Sequence, residues 1–196
     1  MAIIQGLEWT FNTVAEEYDK WSPEYVPELY ADLFAYQPLT SDSEVLEIGI
    51  GTGQATTPIL KTGCRLTAVE LGDQLAALTR KKFSDYPDFT VVTSAFQDYE
   101  SPENRFDLIY SAAAFHWIPE EIGYPKVYAL LKPGGVFARF AKHGNYRQSN
   151  EALYEEIQKV YAQYMAYSAP TPPFTEADAK RRSEISLRYG FVDQKI

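Results

Sequence analysis

Hydrophobic and polar positions change their spacing twice along this chain. Up to residue 38, apolar side chains recur every three or four residues, as in FNTVAEEYDKW from residue 11 to 21, and this spacing predicts helices. From residue 39 to 142, short apolar runs alternate with helix-like segments. Residues 143–196 return to helical spacing. We therefore expect three segments with boundaries at 1–38, 39–142 and 143–196.

The middle segment carries five apolar runs that predict strands. They are EVLEIGI, RLTAVE, FTVVTS, FDLIYSA and VFARFA, which begin at residues 44, 65, 89, 106 and 136. Helical patterns separate them at about 53–61, 72–83 and 120–132, and the KPGG of residues 132–135 predicts a tight turn. Strands that alternate with helices predict right-handed βαβ units, so we expect an α/β fold around a mainly parallel, twisted sheet flanked by helices.

The two outer segments are predicted to be helical. In the first, helices are expected at 11–21 and after Pro23, and Asn12 or Thr13 is expected to cap the earlier one. In the last, an amphipathic helix is expected over 150–167 and another over 176–189, with the proline-rich SAPTPPF between them.

Composition and charge narrow the possible functions. A net charge of −9 argues against a nucleic-acid partner, and the basic clusters at 80–82 and 180–182 are interpreted as solvated helix faces. The single Cys64 excludes an intramolecular disulfide, and His116 and His143 lie too far apart for a metal-ligand pair, so no metal is expected. No run is apolar and long enough for a membrane span, so we expect a soluble cytoplasmic protein; its oligomeric state stays open.

Three alternating glycines follow the first predicted strand, in VLEIGIGTGQAT. Gly49, Gly51 and Gly53 would let the backbone adopt positive φ and approach a ligand closely. A dinucleotide loop would need glycine or alanine where Gln54 stands, and no lysine of a phosphate-binding P-loop is present. The spacing therefore weakens the two phosphate-binding interpretations.

Two acidic residues point to another kind of ligand. Glu47 stands two positions before Gly49, where a carboxylate would repel pyrophosphate and attract a cation. Glu70 ends the second predicted strand, where a carboxylate accepts hydrogen bonds from the hydroxyls of a ribose. Together they favour a nucleoside with a positive charge and no phosphate, a description that S-adenosylmethionine fits.

The order of these motifs resembles the class I S-adenosylmethionine-dependent methyltransferases. EVLEIGIGTGQAT, LTAVEL and FDLIYSAAAFHWI…LLKPGGVFARF carry the resemblance over residues 8–141. The His116–Trp117 pair and the FNTVAEEYDKW helix are similar to the trans-aconitate methyltransferase group, which acts on small molecules. The resemblance implies a Rossmann-like fold, with N-terminal helices over the cofactor site and a helical C-terminal lid that helps to bind a small methyl acceptor.

The resemblance also implies roles for individual residues. Glu47 and the three glycines, with Gln54, would frame the methionine end of the cofactor, while Glu70 would hold the ribose and Leu71 would pack on the adenine. Ser111 and Ala112 would lie beside the sulfonium, and Tyr18 would close over the cofactor and contact the substrate. The remaining cofactor contacts border the adenine: Ser94, Ala95 and Phe96. His116 and Trp117 are expected to contact the substrate, with His116 a candidate general base since histidine titrates near neutrality.

The family's usual sheet has seven strands, and FVDQKI at residues 191–196 resembles only the start of the sixth. The final strand is therefore expected to be missing. This departure keeps a second hypothesis open, in which the fold binds cofactor or a partner protein without turnover. A nicotinamide-dependent oxidoreductase is a third hypothesis, which the glycine spacing disfavours.

Overall fold

The computed structural model describes residues 10–142, 150–164 and 174–196. The chain divides into two compact units, of which the first ends at Ala141 and the second begins at Lys142. The first unit contains the sheet and every residue of the candidate site, so the fold is built from it.

The first unit is organised around five parallel strands. Their order in the sheet is β3-β2-β1-β4-β5, and all four neighbouring pairs are parallel. The strands are β1 Glu44–Ile48, β2 Arg65–Glu70, β3 Phe89–Thr93, β4 Phe106–Ala112 and β5 Leu131–Phe140. This arrangement, with helices between successive strands, confirms the predicted α/β class and the Rossmann-like architecture.

The strands pair where their apolar runs are longest. In β1 and β4 nearly every side chain is buried, which is typical of parallel strands covered by helices on both faces. Central β1 is registered against both neighbours, with Glu47 opposite Ala68 of β2 and opposite Tyr110 of β4. β1 ends at Ile48, two residues before the predicted end, because Gly49 turns the backbone to a φ of +71°.

Five helices surround this sheet. They are α1 Ala15–Trp21, α2 Pro27–Tyr36, α3 Thr56–Leu60, α4 Asp73–Lys82 and α5 Glu120–Leu130, with 3₁₀ turns at Phe11–Val14 and Phe115–Trp117. All five were predicted within a few residues. Helix α5 keeps its helical path through Pro125, whose missing N–H leaves the carbonyl of exposed Glu121 to the solvent.

The predicted turn at residues 132–135 lies inside β5 rather than before it. Phe106 pairs with Leu131 and Leu108 pairs with Val136, so between these pairs one residue of β4 lies opposite four of β5. The extra residues form a bulge, which Gly134 permits with a φ of +81°. The sequence therefore located the irregularity correctly and missed the pairing of Leu131.

The second unit contains two described helices, α6 Glu151–Tyr164 and α7 Glu176–Leu187. Thr175 and Asp178 form a reciprocal capping box at the start of α7. The sixth strand expected at residues 191–196 is wrong: no pairing partner holds this segment within the described part of the chain, and Val192 and Ile196 are exposed. Residues 165–167, predicted to extend α6, and His143 lie outside the described residues.

Among the helices of the described ranges, none has the length and apolar character needed to cross a membrane.

Candidate functional site

The glycine loop, residues 49–55 between β1 and α3, lies at the carboxyl edge of the sheet. Gly49, Gly51 and Gly53 have φ values of +71°, +58° and +83°, a region that side chains disfavour. A methyl group on Gly49 would stand 2.3 Å from Cβ of Ala114, and one on Gly53 would stand 2.5 Å from the ring of Phe83. These two glycines are needed because the loop packs tightly against the fold.

Gly51 is needed for a different reason. Among the described residues, a Cβ at this position would have one neighbour within 4 Å outside its own chain neighbours, the Cε1 atom of Tyr18 at 3.9 Å. Its N–H donates a 2.8 Å hydrogen bond to Oε2 of Glu70 at the end of β2. Gly51 therefore presents bare backbone to the space beneath Tyr18, the sort of surface that a ligand approaches closely.

Glu70 joins the glycine loop to the start of α4. Its Oε1 atom accepts a 2.9 Å hydrogen bond from the N–H of Gly72, while Oε2 accepts from Gly51. The residue is 7% exposed, and burial raises its pKa although the two N–H donors favour the charged form. Since each carboxylate oxygen can accept a second hydrogen bond, Glu70 can still hold a pair of ligand hydroxyls.

Glu47 is the most deeply buried acid of the site. Its Oε2 atom accepts hydrogen bonds from the hydroxyls of Tyr110 at 2.7 Å and Thr56 at 2.8 Å. Its Oε1 atom is buried and has no hydrogen-bond partner among the described residues. Burial raises the pKa of Glu47 to about 8, so the group is mostly protonated at neutral pH unless a cation lies nearby.

The residues predicted around an adenine occupy the ends of β2 and β3. Leu71 is half-buried beside Glu70, and the N–H of Ser94 donates to the Glu70 carbonyl at 2.9 Å. The Ser94 hydroxyl donates to the carbonyl of Ala95. Phe96 is buried, with the Lys126 ammonium 5.4 Å above its ring. Leu71, Ser94 and Ala95 thus lie at the predicted edge, while burial of Phe96 leaves it little surface for a ligand.

Gln54 and the end of β4 complete the predicted cofactor set. Gln54 donates a hydrogen bond to the Thr52 hydroxyl within the glycine loop. Ser111 is buried and its hydroxyl donates to the Ile48 carbonyl at 2.9 Å, so it braces β4 against β1. Ala112 is half-buried next to Ala113, a non-glycine residue with a φ of +60°. This strained turn directs the chain toward Ala114 and its contact with Gly49.

His116 and Trp117 follow in a 3₁₀ turn, with their ring centroids 4.6 Å apart. His116 is exposed and Trp117 is half-buried. Tyr18 projects from α1 toward Gly51, and its ring packs edge-on against Phe11 at 5.2 Å. The structure therefore brings Tyr18 to the glycine loop; the ligand contacts of all three residues stay predictions.

Sequence reasoning missed three side chains that surround Glu47. Tyr110 and Thr56 donate hydrogen bonds to its carboxyl group. Tyr25 lies nearby: burial raises the pKa of the Tyr25 hydroxyl to about 12, and the charges of Tyr18 and Glu47 add to this increase. The ring of Tyr25 packs edge-on against Phe140 at 5.0 Å. The strand alternation places Tyr110 on one face of β4, but only the sheet register shows that it lies opposite Glu47.

Comparison with known proteins finds similarity to methyltransferases. Residues 45–135 match the family model described as "Methyltransferase domain". A malonyl-[acyl-carrier protein] O-methyltransferase of Ilyobacter polytropus is 31% identical over 114 residues, which are 56% of this chain and 42% of that protein. The chain thus spans less than half the length of this curated relative.

Two solved structures support the fold. One from Methanococcus maripaludis, assigned to the S-adenosyl-L-methionine-dependent methyltransferases, has a TM-score of 0.67 at 17% identity and covers 91% of this chain and 84% of its own. A Haemonchus contortus phosphoethanolamine N-methyltransferase has a TM-score of 0.65 at 20% identity and covers 95% of this chain and 45% of its own. At these identities the likeness is one of fold.

Proposed function

We propose that this chain, as a class I S-adenosylmethionine-dependent methyltransferase, binds S-adenosylmethionine at the glycine loop and methylates a small molecule. The observation that carries the proposal is the Glu70 bridge: one carboxylate holds the N–H groups of both Gly51 and Gly72 beside open backbone. This bridge would form a cradle for a ribose. The orphaned Oε1 of Glu47 suits a cationic ligand.

The protein's contribution to the reaction follows from this arrangement. When bound, S-adenosylmethionine supplies a methyl group that its sulfonium already activates. Glu70 would fix the ribose, and Gly51 would let the backbone approach the ligand. Tyr18 would cover the ligand from the side of α1. Holding donor and acceptor in line is the main source of rate acceleration in such a displacement.

The acceptor is proposed to be small and to react through oxygen, nitrogen or a carboxylate. The curated relative is named for malonyl-[acyl-carrier protein], and the Haemonchus contortus structure contains phosphomonomethylethanolamine. A carboxylate acceptor needs no base, whereas an amine or hydroxyl needs one, and exposed His116 is the candidate. The net charge of −9 supports the absence of a nucleic-acid partner, and we propose a cytoplasmic location.

Calorimetric titration tests the cofactor. We expect S-adenosylmethionine and S-adenosylhomocysteine to bind with micromolar dissociation constants, and Glu70→Ala to abolish this binding. Glu44→Ala is the matched control, because it also removes a glutamate carboxylate at a strand end. Glu44 lies at the start of β1 and forms ion pairs with Arg65 and Arg105 rather than contacts with the glycine loop. Equal affinity in the wild type and Glu70→Ala would overturn the assignment, and so would tighter binding of NADH.

A turnover assay separates the enzyme from the non-catalytic alternative. Formation of S-adenosylhomocysteine is followed by mass spectrometry with malonyl thioesters, phosphoethanolamine, small carboxylic acids and an RNA transcript. We expect turnover with at least one small molecule and none with RNA. Cofactor binding without turnover across this panel would favour a binding module with a methyltransferase fold.

A further inference from the structure

We propose that Asn12 and Lys82 are positioning residues that tether α1 and Tyr18 to the glycine loop and thereby help the site to retain its cofactor. Asn12 lies before α1 and binds the start of α4, while Lys82 is the last residue of α4. The inference rests on the proposed function and adds two residues that touch no predicted ligand. The sequence predicted Asn12 or Thr13 as the cap of the first helix, and neither side chain caps it. It predicted that Lys82 lies on a solvated face; Lys82 is exposed, and it also contacts α1 and the glycine loop.

Asn12 caps α4 instead of the helix in which it lies. Its Oδ1 atom accepts hydrogen bonds from the N–H groups of Gln74 at 2.9 Å and Leu75 at 3.3 Å. Its amide nitrogen donates to Asp73 at 2.8 Å. α4 has no capping side chain from its own N-cap residue, Gly72. Asn12 therefore satisfies the N–H of Leu75 and shares that of Gln74 with the Asp73 carboxylate.

The contact with Asn12 also reaches the ribose cradle. A Cβ on Gly72 would stand 2.5 Å from Oδ1 of Asn12, so glycine is required for this close approach. Gly72 in turn donates its N–H to Glu70. Asn12 is itself 8% exposed, so the 3₁₀ turn that carries it is packed against Gly72, the residue that donates to Glu70.

Lys82 makes the second attachment at the far end of α4. Its ammonium donates to Oδ1 of Asp19 in α1 at 2.6 Å and to the carbonyl of Thr52 in the glycine loop at 2.9 Å. The next residue, Phe83, packs its ring where Gly53 leaves room. One cation therefore ties α1 and the glycine loop together.

The two attachments fix the position of Tyr18. The ten residues of α4 span about 15 Å. Along this length, Asn12 is bonded to the first turn of α4 and Asp19 is bonded to Lys82 at its last residue. Tyr18 precedes Asp19 and faces Gly51. Release of Lys82 would free the end of α1 that carries Tyr18, while Asn12 would still hold its start.

The neighbouring basic residues provide controls. Arg80 donates to the Val91 carbonyl and the Thr93 hydroxyl, so it serves β3. Lys81 is exposed on the same helix and contacts neither α1 nor the glycine loop through any described hydrogen bond or ion pair. Removing the charge of Lys81 therefore changes the net charge as Lys82→Met does while leaving the tether intact.

The test compares Lys82→Met, Lys82→Arg and Lys81→Met with the wild type. Amide hydrogen exchange of residues 10–21 is measured without ligand, and S-adenosylhomocysteine affinity is measured by calorimetry. We expect Lys82→Met to speed exchange at 15–21 and to weaken binding about threefold to tenfold, a modest change because the pair is partly exposed. Lys81→Met should match the wild type, and Lys82→Arg should recover most of the affinity.

Three results would overturn the proposal. Unchanged exchange in Lys82→Met would show that Lys82 holds nothing in place. Faster exchange with unchanged affinity would make the tether purely structural. Equal losses in Lys82→Met and Lys81→Met would indicate a general charge effect. A wild type that binds no S-adenosylhomocysteine would overturn the proposed function, and the tether would then be judged by the exchange data alone.

Discussion

The two sides of the sheet's carboxyl edge are stabilised differently, one by hydrogen bonds to buried carboxyl groups and the other by side-chain packing. On the β1–β2 side, backbone N–H groups and hydroxyls converge on two buried carboxyl groups, Glu47 and Glu70. On the β4–β5 side, packing shapes the chain after Ser111. Ala113 adopts a positive φ, and the ring of buried Phe115 lies 5.2 Å from that of Tyr124 and 4.8 Å from that of Phe137, centroid to centroid.

This difference suits two different tasks. A cofactor with fixed chemistry is best met by preformed hydrogen-bond partners, and the β1–β2 side has them before any ligand arrives. Under the proposed function, the acceptor side would offer apolar shape with a few polar groups, among which we expect exposed His116 beside Trp117.

The largest effect is expected at the junction of the two sides. Gly49→Ala would force its new methyl group to 2.3 Å from Cβ of Ala114 at a φ of +71°. Overpacking and left-handed strain together should lower the free energy of unfolding by about 3 to 5 kcal/mol. Urea denaturation measures this change.

Gly51→Ala is the matched control, because its φ is also positive but its new methyl group has room. It should lose only the strain, about 1 to 2 kcal/mol. Equal losses in the two variants would show that the contact between Gly49 and Ala114 does not join the two sides.

The sequence identified the glycine loop but not what each glycine does. The spacing of Gly49, Gly51 and Gly53 was sufficient to predict a loop with close backbone approach at the end of the first strand. It could not show that two of them face Ala114 and Phe83, which are 65 and 30 residues away in the chain. Such contacts depend on tertiary packing, which local periodicity does not contain.

The second prediction removes the bridge on the β1–β2 side. Glu70→Gln keeps the size of the side chain but turns an amide NH₂ toward the N–H of Gly51 or Gly72. One buried donor then lacks an acceptor, which costs about 1 to 3 kcal/mol. We expect S-adenosylhomocysteine to bind about 100-fold more weakly.

Ser111→Ala is the comparison on the β4 side, since it removes one buried hydrogen bond to Ile48. It should reduce stability by about 1 kcal/mol and leave affinity within about threefold of the wild type. A larger loss of affinity in Ser111→Ala than in Glu70→Gln would contradict the division of tasks.

The third prediction concerns the protonation of Glu47. Its pKa of about 8 in the folded protein lies above the ordinary value of 4.5, so between these values the folded state holds a proton that the unfolded state has released. Stability due to this group is full below pH 4.5 and declines toward pH 8, by at most about 1.4 kcal/mol per pH unit.

Glu47→Gln cannot titrate, and its carbonyl oxygen can still accept from Tyr110 and Thr56. Urea unfolding at pH 5, 6, 7 and 8 should therefore give a flatter dependence for the variant. Glu70, whose pKa is also raised, remains in both proteins, so the difference between the curves reports Glu47 together with its charge interaction with Glu70. Parallel curves would mean that Glu47 is ionised throughout.

The candidate site was predictable to the extent that its residues follow strand ends. Glu47 and Glu70 were found because acids after apolar runs stand out in the sequence. Asn12 and Lys82 were missed because their partners are distant in the sequence. Asn12 donates to Asp73, which is 61 residues away, and Lys82 donates to Thr52, which is 30 residues away. Tyr110 was hidden for the same reason, since its contact with Glu47 depends on how β4 is registered against β1.

The smallest effect is expected from the strained turn on the β4–β5 side. Ala113 has a φ of +60°, which costs an alanine about 1 to 2 kcal/mol and costs a glycine almost nothing. Glycine loses more backbone entropy than alanine on folding, and this cost offsets about 0.4 to 1 kcal/mol of the relieved strain. Ala113→Gly should therefore raise the free energy of unfolding by about 1 kcal/mol.

Ala112→Gly is the control for Ala113→Gly, because Ala112 is the last residue of β4 and pairs with Phe140 in ordinary strand geometry. It should destabilise by about 0.5 to 1 kcal/mol. If Ala113→Gly is more stable but turns over its acceptor more slowly at unchanged S-adenosylhomocysteine affinity, the strained turn positions the acceptor side alone. A loss of cofactor affinity would instead show that the two sides depend on each other through Ala114 and Gly49.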